Sequence, residues 1–593
     1  MIRVADYIIE RLHAQGIGHI FLVTGRGNLY LSDAIARHKE IKPVPVHHEQ
    51  AASFSAMAYA QHTGGLGACL VSTGCGSTNA ITGLLCAWQD DIPLVVLSGQ
   101  NWLRETSRHT GIPLRTFGQQ EADIVKAVEG FTKYAVMLSD PKKIAYEIDK
   151  ALYLATAGRK GPVWIDVPLD IQDMRVEAET LERFVPNVAP APAPTADDLH
   201  YLAESLRNAE RPVLLLGSGV RSAKAIAELE QLIVRWQIPV TYAASAVDSY
   251  GAGNPLSIGP VGSIGGSRAG NFAVQNCDRL LVLGCRLSPV TTGPDYHQFA
   301  RAAKVVVVDI DSVEHTKKTV RIDRLVISDV QVFLTAMLQT ELRAVSDVWR
   351  LKCLHWKQSF PLCEASNRQA EKVDLYHLAD ALTATLADDA AVVTDSGLEE
   401  LIIPSGLSLK GRQRCIHPAS QGSMGYALAA GVGASFASGS QVVVVVGDGS
   451  IMMNLQELQT IRHFSIPAKI FVINNNVYAV IRRRQVDLFR TRTIGTDPSN
   501  GVSCPSFEKV AECFGLSYAR INDSTDLPAR IGAVLAMEGP VLCEVMGLDN
   551  QEYLRSSYAF NSKRRMVQRP LEDQAPFLER SIMHAEMVIP PLD

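Results

Sequence analysis

The chain has 593 residues, which is enough for three or four domains at roughly 150 residues each. Its composition, 47% hydrophobic and 20% charged, is that of a globular protein, and its net charge of −5 excludes the basic surface of a nucleic-acid-binding protein. Eleven scattered cysteines without a CxxC pair favour the cytoplasm over a disulfide-rich or zinc-binding scaffold, and no apolar run approaches the ~18 residues of a membrane helix.

Short β-branched runs alternate with helical stretches along the whole chain. The runs most typical of strands are residues 68–72, 94–98, 213–216, 280–283, 305–308, 391–394, 442–446 and 469–473. Strand–helix–strand alternation predicts parallel sheets covered by helices on both faces. The predicted fold class is therefore α/β, with three doubly wound parallel-sheet domains whose ligands lie beyond the carboxyl ends of the strands.

A proline-punctuated segment, residues 186–194, reads as an extended linker. A softer boundary falls between about 345 and 372, where the strand pattern is lost, and the stretch after about 550 is rich in charge and proline. We therefore predict domains at 1–180, 195–345 and 370–550, followed by a C-terminal tail at 551–593.

The sharpest motif lies in the third predicted domain. The strand at 442–446 runs into Gly447, Asp448, Gly449 and Ser450, and the strand at 469–473 runs into three asparagines that include Asn475. If these strands are neighbours, a carboxylate and an amide oxygen meet at one sheet edge and suit a hard divalent cation. The glycines let the backbone approach a ligand closely, and the following helix offers N–H groups to phosphate oxygens. The alternative is a plain strand–helix–strand crossover with a glycine-rich turn.

GDGS, 23 residues and NNN together resemble the diphosphate and Mg²⁺ motif of thiamine-diphosphate enzymes. The resemblance implies that Asp448, the Asn475 side chain and the Val477 carbonyl hold Mg²⁺. It also implies that Gly449 and Ser450 contact the diphosphate. Gly447 belongs to the same cofactor-binding turn.

The same resemblance assigns residues outside this motif. Glu49 follows an apolar strand and opens a helix, where the family has the carboxyl group that activates the aminopyrimidine ring; by itself, a glutamate there is usually only a favourable helix-dipole contact. Asn79 ends the stretch STGCGSTN, which resembles the family's TSGPGATN turn. The Gly422 carbonyl and the Met424 side chain would support the bent cofactor. Gly397 begins a diphosphate loop that matches only in part, since Leu398 and Glu399 stand where Gln and His are usual.

The resemblance is closest to the acetolactate (acetohydroxyacid) synthase branch and covers about residues 1–550. In that branch a Tyr-Pro-Gly-Gly loop follows the first strand, whereas this chain has Gly25 and Arg26 there. The pattern FGQQEADIVKAVEGFTK, which contains Gln120 and Lys133, follows the branch. Arg484 stands where a tryptophan normally selects a small 2-oxo acid. We count these five residues as candidate substrate contacts, and the alternative for Arg484 is a solvated helix face.

The resemblance implies a pyrimidine-binding, a middle and a diphosphate-binding domain, and a dimer or tetramer with its active site at the interface. The middle-domain stretches that would bind FAD keep only glycines and Arg286, so we expect no flavin. The implied function is a thiamine-diphosphate- and Mg²⁺-dependent carboligase, a transferase or lyase. It would decarboxylate a 2-oxo acid, with pyruvate expected, and transfer the acyl carbanion to a second carbonyl.

The two arginines favour an anionic keto-sugar as that acceptor, because guanidinium groups bind phosphate or carboxylate in a bidentate manner. The alternatives are an acetolactate synthase proper, a simple 2-oxo acid decarboxylase, and a non-catalytic paralogue that only binds the cofactor.

Overall fold

A computed structural model describes residues 1–187 and 190–592. Residues 188 and 189 of the predicted linker lie outside the described part of the chain. The structure contains three six-stranded sheets, each entirely parallel and each flanked by helices, so the predicted α/β class with three doubly wound sheets is confirmed. The domain boundaries drawn from the sequence remain a prediction.

The first sheet has the strand order β3-β2-β4-β5-β7-β6. The strands of this part of the chain are β1 (Ile2–Arg3), β2 (His19–Leu22), β3 (Lys42–Pro45), β4 (Gly67–Val71), β5 (Leu94–Gln100), β6 (Tyr134–Met137), β7 (Val163–Pro168) and β8 (Arg175–Val176). The helices are α1 (Val4–His13), α2 (Leu29–Arg37), α3 (Glu49–Thr63), α4 (Cys75–Asn79), α5 (Ile81–Gln89), α6 (Ser107–Thr110), α7 (Ile124–Val128), α8 (Ile144–Thr156) and α9 (Leu169–Asp173). The short strands β1 and β8 pair with each other in antiparallel orientation.

The second sheet has the order β11-β10-β9-β12-β13-β14. Its strands are β9 (Pro212–Leu216), β10 (Val240–Tyr242), β11 (Ser257–Pro260), β12 (Arg279–Leu283), β13 (Lys304–Asp309) and β14 (Arg324–Ile327). The helices are α10 (Ala196–Arg207), α11 (Gly219–Ser222), α12 (Ile226–Trp236), α13 (Arg268–Asn276), α14 (Pro289–Thr292), α15 (Val330–Leu338) and α16 (Asp347–Ser359).

The third sheet has the order β16-β15-β17-β18-β20-β19. Its strands are β15 (Ala391–Val393), β16 (Arg414–Ile416), β17 (Val442–Gly447), β18 (Lys469–Asn474), β19 (Ser517–Ile521) and β20 (Val541–Met546). The helices are α17 (Leu375–Thr385), α18 (Gly397–Gly406), α19 (Tyr426–Ser438), α20 (Glu457–His463), α21 (Ala479–Phe489), α22 (Phe507–Phe514) and α23 (Leu527–Ala536).

The tail folds back onto the second sheet's helices. It contains the hairpin β21 (Tyr558–Phe560) and β22 (Met566–Gln568) and the helix α24 (Arg580–Glu586). Glu572 is buried and forms an ion pair of 2.8 Å with Arg301, and the Leu571 carbonyl accepts a hydrogen bond of 3.0 Å from Asn271 on α13. Within residues 1–187 and 190–592, we find no helix with the length and apolarity that crossing a membrane requires.

Helices α3 and α19 join the first and third sheets. Both are rich in alanine, glycine and serine, so their backbones approach closely. The Ser55 hydroxyl donates to the Ala429 carbonyl at 2.7 Å, and a Cβ atom at Gly433 would lie only 2.0 Å from the Ser55 carbonyl oxygen. This contact fixes α3, which carries Glu49 at its first residue, against the domain that carries Asp448.

Candidate active site at the sheet edges

The predicted neighbours β17 and β18 are adjacent parallel strands, with Gly447 paired to Ile473. Their carboxyl ends therefore bring Asp448 next to the asparagine turn, as the sequence predicted. One Asp448 carboxylate oxygen accepts hydrogen bonds from the backbone N–H groups of Asn475 at 3.1 Å and Asn476 at 2.5 Å. The Asn475 side-chain oxygen accepts from the Val477 N–H at 3.2 Å.

These oxygen atoms fit a hard divalent cation. Asp448 is buried, and burial raises the pKa of its carboxyl although the backbone N–H groups oppose that shift. A buried carboxylate beside an amide oxygen and a free backbone carbonyl is the donor set that Mg²⁺ prefers. Across residues 1–187 and 190–592, no cluster of three or more His, Cys, Asp or Glu side chains offers an alternative metal site.

The segment from Gly422 to Gly425 is tied to two strand ends. The Gly425 N–H donates to the Ser450 hydroxyl oxygen at 2.9 Å, and the Ser450 hydroxyl donates to Asp395, which follows β15. Gly422 and Gly425 have φ angles of +54° and +81°, which favour glycine. Because Asp395 takes the Ser450 proton, Ser450 would offer a diphosphate oxygen its backbone N–H rather than its hydroxyl group.

Glu399 is the residue of this cradle whose part the sequence left open. Its side chain is buried, and a Cβ atom at Gly447 would lie 3.3 Å from a Glu399 carboxyl oxygen. Gly397, with φ +75°, lies on its other side. Burial, reinforced by Asp395 and Asp448, raises the pKa of Glu399 to about 8. The mismatch with the family's Gln-His pair was the available signal, but only the fold shows that this carboxyl group faces the cofactor-binding glycines.

Glu49 and Asn79 are brought together at the carboxyl edge of the first sheet. Glu49 begins α3, whose N-cap His48 accepts a hydrogen bond from the Gln50 N–H at 3.1 Å. The Asn79 side-chain amide donates to a Glu49 carboxyl oxygen at 3.0 Å. The other Glu49 oxygen faces Gly76, where a Cβ atom would lie 3.1 Å away. The turn before Asn79 thus fixes the carboxyl group that the resemblance makes catalytic.

Three of the candidate substrate residues surround the same turn. A Cβ atom at Gly25 would lie 2.3 Å from the Ser72 hydroxyl oxygen, and one at Gly74 would lie 2.0 Å from the Gln120 carbonyl oxygen. The exposed Arg26 guanidinium donates to the Gln119 side-chain oxygen at 2.6 Å.

The other two candidate substrate residues lie apart from this group. The Lys133 ammonium donates to the carbonyls of Ala157 and Arg159 at 2.6 Å each. Arg484 is exposed on α21 and forms no hydrogen bond or ion pair within the part of the chain that the structure describes. A role in substrate binding remains a prediction for both.

The stretches compared with flavin motifs lie at the carboxyl ends of β9, β10 and β12, beside a cavity of about 250 Å³ between the three domains. The glycine turns there pack on each other, since a Cβ atom at Gly219 would lie 2.7 Å from the Gly284 Cα atom. Arg286 donates to the Ser420 hydroxyl at 3.2 Å. Close packing of the backbone is therefore sufficient reason for these glycines.

The geometry can be compared with known proteins. Models of the thiamine pyrophosphate enzyme N-terminal TPP binding domain, central domain and C-terminal TPP binding domain match residues 2–127, 199–337 and 395–545. The chain is 31% identical to the acetolactate synthase large subunit of Parasynechococcus marenigrum over 555 residues, covering 91% of this chain and 87% of the relative. It is 31% identical to the chloroplastic acetolactate synthase of Arabidopsis thaliana over 560 residues, covering 91% and 81%.

Three parallel sheets, a glutamate at the edge of the first and the GDGS–NNN turn at the edge of the third define an enzyme that forms carbon–carbon bonds with thiamine diphosphate. The chain belongs to the thiamine pyrophosphate enzyme family, in its acetolactate synthase-like branch.

Proposed function

We propose that this enzyme is a thiamine-diphosphate- and Mg²⁺-dependent carboligase that decarboxylates pyruvate and joins the remaining acyl unit to an anionic keto-sugar. The observation that carries the acceptor is the pair of arginines at positions where the branch has glycine and tryptophan. Arg484 is free of partners among the described residues, and Arg26 contacts only a neutral amide, so both positive charges are uncompensated. Phosphate or carboxylate groups satisfy such guanidinium groups.

Bound thiamine diphosphate would supply the nucleophilic carbon and the electron sink for decarboxylation. The chain would hold it through Asp448, Asn475 and the Val477 carbonyl on Mg²⁺. Glu49 would exchange a proton with the aminopyrimidine ring, and Asn79 would keep the carboxyl group oriented during that transfer.

We further propose a homodimer or homotetramer in which Glu49 of one chain meets the GDGS–NNN turn of another. The support is the exposed surface of α21: none of its residues is buried, and Leu488 and Phe489 are 74% and 51% exposed. A second copy would cover such a surface. Cytoplasmic location is proposed on the eleven cysteines, all of which are free.

Co-expression of a Glu49→Gln chain with an Asp448→Asn chain tests the shared site. If each site takes one residue from each chain, random pairing restores about a quarter of the wild-type activity. If both residues act within one chain, the mixture stays inactive. Light scattering on the wild type gives the size of the assembly.

An acetolactate synthase proper is the second candidate, and the relatives favour it: both chains named above carry that name at 31% identity over 91% of this chain. In that case the acceptor is a second 2-oxo acid. A simple decarboxylase would instead release an aldehyde. Product analysis with pyruvate alone, and then with a keto-sugar added, separates the three.

We also propose that the middle domain works without flavin. Its cavity of about 250 Å³ is below the ~300–1,000 Å³ of sites for drug-sized ligands, and FAD is larger than most of these. A yellow purified protein with the visible absorbance of oxidised flavin would refute this.

The first test is CO₂ release from pyruvate with thiamine diphosphate and Mg²⁺, comparing the wild type with Glu49→Gln. Release that collapses in the variant supports the donor half-reaction. Arg26→Ala and Arg484→Ala should then raise the acceptor KM. Arg412→Ala is the matched control, because Arg412 is exposed near the amino end of β16, the edge opposite the site. Unchanged acceptor KM in both test variants contradicts the keto-sugar proposal.

A further inference from the structure

A polar groove lies beside the turn that carries Asn79, and the roles assigned above use only part of it. Its lining includes Arg26, Thr73, Asn101, Trp102, Gln119 and Gln120. Thr73 belongs to the turn itself, and a Cβ atom at Gly27 would lie 1.9 Å from the Thr73 hydroxyl oxygen. The groove therefore adjoins the loop that positions Glu49.

Trp102 is the only aromatic residue in this lining. The Arg104 guanidinium carbon lies 4.7 Å from the centre of the Trp102 ring and covers part of it. The side chain is nevertheless 42% exposed, which is unusual for so large an apolar group at the carboxyl edge of a buried sheet. A tryptophan placed in this way offers a flat surface for a ligand to stack on.

The backbone around Trp102 is fixed on both sides. The Asn101 carbonyl accepts from the Leu169 N–H at 3.1 Å, and the Leu103 N–H donates to Asp170 at 2.8 Å. The Asn101 side chain holds the Gln119 carbonyl at 2.8 Å. The ring is thus presented on a rigid frame, which lowers the entropy lost when a ligand binds.

The groove combines this ring with the amides of Gln119 and Gln120 and the guanidinium of Arg26. Amides both donate and accept hydrogen bonds, as hydroxyl groups of a sugar require, and the indole suits the apolar C–H face of a sugar ring. Because the groove adjoins the Glu49 loop, the ring next to the reacting carbonyl would lie here, and a nucleobase would lie a diphosphate length away. We propose that Trp102 stacks on the hexose ring of the acceptor and determines acceptor specificity.

This inference rests on the proposed keto-sugar acceptor, so the experiment separates the two. The wild type, Trp102→Ala and Trp102→Phe are assayed as holoenzymes with pyruvate and a thymidine diphosphate 4-keto-6-deoxyhexose, which presents a ketone on a hexose ring. Trp88→Ala is the matched control, because Trp88 is 37% exposed in the same domain and lies outside the groove. Titration calorimetry with thymidine diphosphate glucose, which has no ketone, and with thymidine diphosphate alone measures binding without reaction.

We expect Trp102→Ala to raise the acceptor KM about tenfold, equivalent to ~1.4 kcal/mol, with a much smaller change in the pyruvate KM. Trp102→Phe should recover most of the loss, and the calorimetric affinity for thymidine diphosphate glucose should fall in parallel. An unchanged acceptor KM in Trp102→Ala would overturn the role of Trp102 and leave the keto-sugar function standing. Equal loss of affinity for thymidine diphosphate alone would overturn the hexose assignment. A wild type that forms only acetolactate would overturn both.

Discussion

Replacement of Asp248 by asparagine should destabilise the contact between all three domains. Asp248 follows β10 and its side chain is 7% exposed. Arg221 donates to one of its carboxylate oxygens at 3.0 Å, and Arg414 donates to the other at 2.6 Å. Arg414 also donates to the carbonyls of Gln61 and His62 at the end of α3. One buried carboxylate thus neutralises two guanidinium groups where the three domains meet.

The magnitude follows from the buried charges. Asparagine keeps the shape but leaves two buried cations without an anion, and breaking a buried ion pair costs about 3–5 kcal/mol. The two arginines hold the pKa of Asp248 at about 2 against burial, which acts in the opposite direction. Since this folded-state pKa lies below the ordinary value of 3.8, the stabilisation is complete above pH 4 and is lost as the pH falls towards 2.

Thermal unfolding at pH 7, followed by circular dichroism, measures the effect. Asp248→Asn should lower the midpoint by several degrees, since 1 kcal/mol shifts the midpoint of a domain of this size by about 2–4 °C. Asp197→Asn is the matched control, because Asp197 pairs with Arg324 but is 75% exposed, and surface pairs contribute at most about 1 kcal/mol. A midpoint for Asp248→Asn within a degree of the wild type refutes the argument.

Three further predictions concern the site and the helix contact. Asn79→Ala should lower CO₂ release about tenfold or more with little loss of fold, because Glu49 loses the amide that orients it; a rate equal to the wild type contradicts this. In the wild type, affinity for thiamine diphosphate, measured by calorimetry, should fall as the pH rises through about 8, since Glu399 is neutral below that pKa and anionic above it. Glu399→Gln should lack this step, and an identical pH profile in both proteins would exclude Glu399 from the cradle. Gly433→Ala should destabilise the protein by about 1–3 kcal/mol, because the new methyl group meets the Ser55 carbonyl; an unchanged unfolding midpoint would show that α3 and α19 can separate freely.

The edge of the third sheet was the part of the site most accessible from sequence. A run of five valines fixes β17, a second apolar run fixes β18, and parallel pairing then carries Asp448 to the asparagine turn without further information. The three sheets follow from the same alternation of strands and helices. Local pattern and short-range topology are sufficient for these features.

Residues whose surroundings come from distant segments were not accessible in this way. Asp248 draws its partners from two other elements, and Glu399 becomes buried only when α18 packs against the end of β17. Trp102 follows the predicted strand at 94–98, but its exposure depends on the loop that carries Gln119. Periodicity reports which face of an element is apolar, and it carries no information about which charges meet across domains.

The acceptor side of the site gains coherence when the chain's departures from its branch are considered together. Arg26 places a cation at the turn that the donor chemistry requires, and the adjoining groove adds amides and an exposed indole. A small 2-oxo acid has one carboxylate and needs neither a second guanidinium at Arg484 nor an aromatic surface. A phosphorylated sugar uses all of them, because its charge, its hydroxyl groups and its apolar ring face each require a different partner. The keto-sugar proposal therefore accounts for more of these residues than acetolactate synthesis does, and the acceptor KM of the Arg26, Trp102 and Arg484 variants tests each contribution separately.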